Sequence, residues 1–494
     1  MKKLLFVAVA AASLAGLAGE FKAGFARVDI TPPLGSYMPG YYVERYAKKV
    51  LDPLEINMVA FSDGEKTALV AQIDTEGISD SVADAMRDAI VKATKVDRDA
   101  ILLHASHTHD GGYLAMRSTH GSNADKPGDG LPSHATPIDV LYVDHCVTRA
   151  ADAAVNAIAD LKPAKLAVGK SVAKRISFGR RYLMKDGKVR TNPGTNNPDI
   201  VKPVGTADDT VQVLRVDREG GKAICVINFQ THPDVVGGET LTADWPGLTR
   251  TVFEAATFGD TQCLVLNGTQ GDVNHCNVMP RPGELNGLTR DFDDVDRGYD
   301  HARHMANVLA ASALSVWMKC ESVEAGAIRF GVSNVEVGAH KAKDTDAKNL
   351  AWANEIWALH EAGKDAEISK RLGCYGMELT TEIARAGRIR NMAKFGDTHK
   401  IPIDSIAIGK SVAFGGFPGE PFNDIGVNIR KGSPFKLTML SCLTNGSRGY
   451  FPYFDDPTAK SSEEGYEAAT TPFVLTVGQT LVEGELALLR ELAK

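Results

Sequence analysis

The chain has 494 residues, of which 44% are hydrophobic and 24% charged, with a net charge of −7. This is globular composition with enough chain for one large core or two to three smaller ones, and the interspersed signs, with no long basic run, argue against a nucleic-acid partner. Seven cysteines, an odd number with no C-x-x-C pair, imply no disulfide framework.

At the start, Lys2 and Lys3 precede an apolar, Ala-rich run over 4–17, and Gly16-Leu17-Ala18 offers a small-x-small cleavage site. Residues 1–19 therefore have the form of a secretory signal peptide, too short for a membrane span. The expectation is a mature chain that is secreted or periplasmic, without a transmembrane segment.

In chain order, Ala26, Val28 and Ile30 alternate within 25–33 and predict a strand stopped by Pro32-Pro33. A Gly/Pro/Tyr loop follows over 35–42. Residues 57–61 and 67–73 predict a hairpin around Ser62-Asp63-Gly64. Residues 79–96 carry helical spacing, with Ser79 or Asp80 as cap. Ile101-Leu102-Leu103 predicts a buried strand leading into H-A-S-H-T-H-D-G-G. A long polar loop is expected over 114–137 and an amphipathic helix over 140–161, ending before Pro163. Strands are expected over 165–170, 211–216, 223–229 and 262–266, and helices opening near Pro246 and over 300–318. Residues 323–337 read as a strand pair or edge segment. Residues 341–395 read as two helices forming an insertion or small cap, with Trp352 and Trp357 in packing roles. A strand pair over 406–417, a strand over 437–443 and a helix over 474–493 complete the chain. The expected fold class is α/β, with a mixed, largely parallel sheet and flanking helices.

Five of the apolar strands end in polar motifs: H-T-H-D-G-G, Q-T-H-P with His232, N-G-T-Q-G-D, P-G-E with Glu420, and T-N-G-S-R-G-Y. Polar groups gather beyond the carboxyl ends of strands in such sheets because ligands bind there. His107 and His109, two apart in an extended segment, point the same way. No G-x-S-x-G, Walker loop or G-x-G-x-x-G occurs, and Cys276 beside His275 lacks the context of a known cysteine nucleophile. Imidazoles with a carboxylate are a common protein set for catalytic zinc. Zinc brings the pKa of bound water to about 7 and polarises a carbonyl. His107, His109, His232 and Glu420 thus point to metal-assisted hydrolysis.

These motifs, in this order over 24–473, resemble those of the neutral (non-lysosomal) ceramidase family. F-A-R-V-D-I-T-P-P-L-G with M-P-G-Y-Y is similar to the family's N-terminal segment. S-H-T-H-D-G-G, N-F-Q-T-H-P, N-G-T-Q-G-D-V-N, F-P-G-E-P-F and G-Y-F-P-Y…G-Y-E-A-A-T-T resemble its later motifs. The resemblance implies a neutral-ceramidase-like catalytic domain over 20–494 and Zn²⁺ held by His107, His232, Glu420 and Tyr453, with Tyr450 as the rival tyrosine. It implies His109 beside the reacting water, Arg180 facing the substrate head group, and Tyr466 bonding the reacting carbonyl. It further implies cleavage of an N-acyl amide bond in a small-molecule or lipid substrate such as ceramide, with peripheral membrane contact.

The chain departs from the family pattern at Asp110-Gly111, where Asp110 is expected to orient an imidazole or act as a base, and at Gly268, where the family has serine. The family's C-terminal immunoglobulin-like domain is expected to be absent. Two alternatives accompany this reading. One is the same zinc site acting on a sugar or other small polar substrate, which Asp110 and the polar 114–137 loop favour. The other is a non-catalytic binding protein.

Overall fold

The computed structural model describes residues 20–41, 43–115, 137–282, 284, 289–290, 296–340, 346–392 and 396–494. The expected signal peptide over 1–19 and most of the expected 114–137 loop lie outside the described residues. Among the described residues, no helix is long and apolar enough to cross a membrane.

Nine strands form the larger sheet: β1 (Lys22–Asp29), β2 (Glu55–Ser62), β3 (Thr67–Ile73), β4 (Ile101–Ala105), β5 (Lys162–Val172), β6 (Thr210–Arg218), β7 (Ala223–Phe229), β8 (Thr261–Asn267) and β9 (Glu321–Val323). Their order is β8-β7-β6-β5-β1-β2-β3-β4, with β9 beside β5. A second sheet runs β10 (Ile328–Gly338), β11 (Thr398–Ile408), β12 (Val412–Gly416), β13 (Leu437–Ser441). The expected 323–337 segment thus divides between the two sheets.

The mixed α/β class expected from sequence is found, but the emphasis on parallel pairing needs correction. β3–β4, β7–β8 and β12–β13 are parallel, and the other pairings in the two sheets are antiparallel. Tight hairpins such as β2–β3 account for part of this, since a short turn can join only antiparallel neighbours. The three parallel pairs are nevertheless the ones whose carboxyl ends carry the motifs.

Alternation explains the layers. β1 and β2 bury Phe25, Met58 and Phe61 in a core shared with helices α1 (Asp80–Thr94) and α2 (Pro137–Ala159). Helix α1 starts where the Ser79 hydroxyl accepts from the Val82 amide, as the sequence predicted, and stops at Lys95 in the left-handed region. α3 (Asp244–Ala256) and α4 (Tyr299–Trp317) cover β6, β7 and β8 through Trp245, Phe253 and Trp317. Three helices rather than two occupy the insertion: α5 (Ala347–Glu361), α6 (Asp365–Leu372) and α7 (Gly376–Met392), with their own small core around Ile356, Ile368 and Ile389. Gly373, at φ 69°, supplies the break between α6 and α7 that an apolar stripe alone does not reveal. α8 (Asn423–Gly432) and α10 (Val477–Leu492) pack on the second sheet, and the short α9 (Tyr466–Thr470) lies between them in sequence.

The two outer strands β4 and β8 meet at one buried residue. His104 donates from Nδ1 to the Cys442 carbonyl at 2.6 Å and accepts at Nε2 from the Asn267 amide at 3.0 Å. One neutral imidazole thereby joins the ends of β4, β8 and β13. Burial holds its pKa down at about 4, against the pull of the Cys442 carbonyl.

Candidate metal centre

His107 and His109 leave β4, His232 leaves β7, and Glu420 lies just past β12. The ligand atoms of the three imidazoles all lie within 4.8 Å of one another. His107 Nε2 is 3.3 Å from His109 Nε2 and 3.3 Å from Glu420 Oε2, and His232 Nε2 is 3.1 Å from the same oxygen.

The backbone fixes which nitrogens face inward. His107 donates from Nδ1 to the Glu76 carbonyl at 2.6 Å, and His232 from Nδ1 to the Gln270 carbonyl at 3.0 Å. In a neutral ring the remaining Nε2 then carries a lone pair aimed at the centre, the arrangement that orients a metal-ligating histidine. Gln270 closes the carboxylate side, donating to Glu420 Oε2 at 3.3 Å. His107 sits at φ 71°, a conformation uncommon outside glycine, so the surrounding contacts hold it against local strain.

These donors fit a divalent cation. Two buried imidazoles, the half-buried His109 and a buried carboxylate share one small volume, and lone pairs facing a carboxylate repel unless a proton or cation stands between them. Burial would lower the His107 pKa, yet the charge and hydrogen bond of Glu420, with the charge and backbone carbonyl of Glu76, together outweigh it and lift the ring to about 9. Burial would raise the Glu420 pKa, yet His107 and His232 together, by charge and hydrogen bond, hold it well below the usual carboxylate range. Burial, then the neighbouring His107 charge, push His109 well down. The site therefore favours one positive charge at its centre.

The tyrosines separate. Glu420 and Tyr450 are register partners in a short parallel ladder. The Tyr450 ring stacks near His232, with centroids 6.5 Å apart and planes at 21°. Tyr453 packs beside Phe422 and Phe454 at the edge of the hydrophobic layer, and the acidic groups acting on it are Asp455 and Asp424. The structure thus brings Tyr450, rather than Tyr453, to the histidine cluster.

Arg180 is buried between the two sides of the site. Its Nε is 2.5 Å from Glu467 Oε1, and a terminal nitrogen donates to the Tyr450 hydroxyl at 3.1 Å and the Gly271 carbonyl at 2.7 Å. Burial opposes its charge, but Glu467, Tyr450, Glu420 and Asp234 together outweigh burial and keep the guanidinium protonated. Tyr466 meets Tyr450 edge-on at 5.7 Å. His109, Arg180, His232, Tyr450 and Tyr466 all line one cavity of about 310 Å³. Its outer wall comes from the helical insertion, through Met377, Leu379 and Ile383 of α7.

Asp110 takes a different place from the one expected. It is fully buried, and its carboxylate accepts from Arg45 at 3.0 Å. Arg45 also donates to the backbone carbonyls of Pro39, His109 and Gly238. Asp110 thus anchors the clamp that holds the H-T-H turn and does not line the cavity. Gly40, at φ 100°, packs against the His109 ring so closely that an added Cβ would lie 2.9 Å from it. At Gly268 an added Cβ would come 3.1 Å from Gln230 Oε1, so a side chain there requires the Gln230 amide to move.

Sequence reasoning missed Asp234, Gln270 and Glu467. Asp234 lines the cavity and accepts at 3.0 Å from His275 Nδ1, whose Nε2 is 3.9 Å from Cys276 Sγ. The D in Q-T-H-P-D and the E in Y-E-A-A-T-T were the available signals.

No protein-family model matches the chain, and no curated protein does. Solved structures share its fold, among them two ceramidases. A neutral ceramidase from Pseudomonas aeruginosa superposes with a TM-score of 0.68 at 16% identity, over 96% of this chain and 75% of that one. A ceramidase complexed with C2 superposes with a TM-score of 0.65 at 16% identity, over 96% and 76% of the two chains.

Proposed function

We propose that the chain is a zinc-dependent amidohydrolase that cleaves an N-acyl bond. The observation that carries the reading is the convergence of His107, His109, His232 and Glu420, of which His109 and His232 line a cavity together with Arg180, Tyr450 and Tyr466. The ceramidase names of two structures that share the fold support the same reaction class. A zinc ion held by His107, His232, Glu420 and Tyr450 would supply Lewis-acid polarisation and a water acidic enough to ionise near neutral pH.

The chain's own groups divide the remaining work. His109, whose basicity burial suppresses, accepts a hydrogen bond from the attacking water. Tyr466, at the cavity wall, donates to the developing oxyanion, the position at which a fixed donor contributes most. Arg180 holds the Tyr450 hydroxyl and presents positive charge to the head-group side. The apolar residues of α7 receive the acyl portion and exclude water.

A cavity of about 310 Å³ is at the small end for ligand sites, which favours a short acyl group or one with its tail directed outward. Export follows from the signal-like 1–19 segment, and access to a lipid substrate would then occur at the outer face of a membrane. The polar-substrate reading draws support from Asp234, His360 and Asp365, which line the same cavity. The test is a comparison of N-acyl sphingosine with polar N-acyl amides and glycosides, using zinc-loaded protein. Release of free fatty acid or acetate from an amide supports the proposal. Cleavage restricted to a glycosidic bond refutes it.

A further inference from the structure

A second concavity, of about 640 Å³, opens beside the metal pocket. Asn192 and Met377 line both, so the two spaces are neighbours on either side of these residues. Its walls are the 188–194 hairpin arm, the start of α7, and the 463–465 segment that leads into α9. Nothing in the reaction assigned to the metal pocket uses this groove.

The groove's chemistry is unlike that of the pocket. Lys188, Arg190 and Arg385 face Glu378, Glu382, Glu463 and Glu464, so charge is nearly balanced. The arginines are already engaged: Arg190 with Asp186 at 2.8 Å and Glu378 at 3.4 Å, Arg385 with Glu382 at 2.6 Å. An anionic head group would have to compete with these pairs, whereas a neutral hydroxyl-rich ligand can add hydrogen bonds without breaking them. Tyr375, 77% exposed, stands at the groove. An aromatic ring held in water costs hydrophobic free energy, and beside alternating donors and acceptors it offers a flat face for the C–H side of a sugar ring. Asn192, at the junction, sits at φ 45°, a left-handed conformation that asparagine tolerates, and its amide offers both a donor and an acceptor.

We infer that this groove binds a neutral saccharide or polyol that forms the head group of the substrate, while the acyl portion enters the metal pocket past Asn192 and Met377. The inference rests on the amidohydrolase reading for the identity of the whole substrate, an N-acyl conjugate carrying a sugar. Groove binding itself does not need that reading.

The experiment separates the two. Maltotetraose, cellotetraose and chitotetraose are titrated by calorimetry into the full chain, into His107→Ala and into Tyr375→Ala. Tyr375 is exposed, so its removal leaves the fold intact. At least one sugar should bind the full chain and His107→Ala alike, and Tyr375→Ala should weaken it about fivefold. Zinc-loaded protein should also show a lower KM for a glycosylated than for a bare N-acyl amine, a difference that Tyr375→Ala abolishes. Saccharide binding without any amidase activity would refute the hydrolase reading and leave the groove assignment standing. Amidase activity with no saccharide binding up to about 10 mM, or with binding indifferent to Tyr375→Ala, would overturn the groove assignment. A preference for sulfated over neutral oligosaccharides would overturn the neutral class.

Discussion

Glu467 carries the charge that keeps Arg180 in place: the two side chains meet at 2.5 Å, both almost wholly buried, and Arg181 Nε lies 3.7 Å from the other carboxylate oxygen. Thr191 also donates to that second oxygen at 2.9 Å. One carboxylate thus ties the 178–191 segment, which carries Arg180 to Tyr450, to the start of α9, which carries Tyr466.

Replacing Glu467 with Gln should leave two buried guanidinium groups with one neutral partner. Loss of one member of a buried pair costs about 3–5 kcal/mol, so the unfolding midpoint should fall markedly and kcat should drop as Arg180 and Tyr466 lose their alignment. Denaturant titration and steady-state kinetics on one preparation check both. Unchanged stability with Glu467→Gln would contradict the assignment.

The tyrosines give a sharper contrast. Tyr450→Phe should weaken metal binding and lower kcat by about 10–100-fold, the scale seen when groups around a metal site are removed. Tyr453→Phe should change either quantity less than about twofold, because an exposed or peripheral hydroxyl contributes little. Competition with a metallochromic chelator measures the affinities.

Asp110→Asn tests whether the residue acts through structure. It leaves Arg45 buried with a weaker partner and should lower the melting temperature while leaving the shape of the kcat–pH profile intact. Loss of one limb of that profile would assign Asp110 a proton-transfer role instead.

Two buried groups predict opposite pH trends in stability. His104 has a folded pKa of about 4, below its ordinary 6.5, because burial disfavours the charged ring. The unfolded chain binds the extra proton first, so this contribution is complete above pH 6.5 and is lost as pH falls towards 4. Glu485 has a folded pKa of about 8, above its ordinary 4.5, because burial disfavours the carboxylate; the Ser405 hydroxyl at 2.9 Å offsets only part of this. Its contribution is complete below pH 4.5 and is lost as pH rises towards 8. Glu485→Gln should therefore flatten the decline in stability between pH 5 and 8, which amounts to about 1.4 kcal/mol per pH unit at its steepest. Urea titrations across this range measure it.

Much of this was legible in the chain. Apolar runs ending in His, Asn, Gln or Glu announced strands that deliver chemistry, and β4, β7, β8, β12 and β13 all do so. Strand pairing was less legible, because a fully buried run such as Ala223–Phe229 reads the same whether its neighbours are parallel or antiparallel. The orientation of Asp110 was hidden because its partner Arg45 is 65 residues away in sequence. Tyr450 and Tyr453 lie on one short segment, and only tertiary contacts, the Glu420–Tyr450 ladder and the Arg180 hydrogen bond among them, separate them. The third insertion helix was hidden by a glycine break inside a continuous helix-forming stretch.

Metal content tests the histidine–glutamate centre directly. Purified full-length chain, its His107→Ala and Glu420→Ala variants, and Tyr453→Phe are exchanged into zinc and analysed by elemental mass spectrometry, with circular dichroism as the check on folding. The account predicts one zinc per chain in the parent and in Tyr453→Phe, and loss of zinc together with activity in folded His107→Ala and Glu420→Ala. Stoichiometric zinc retained in both of those variants would contradict it.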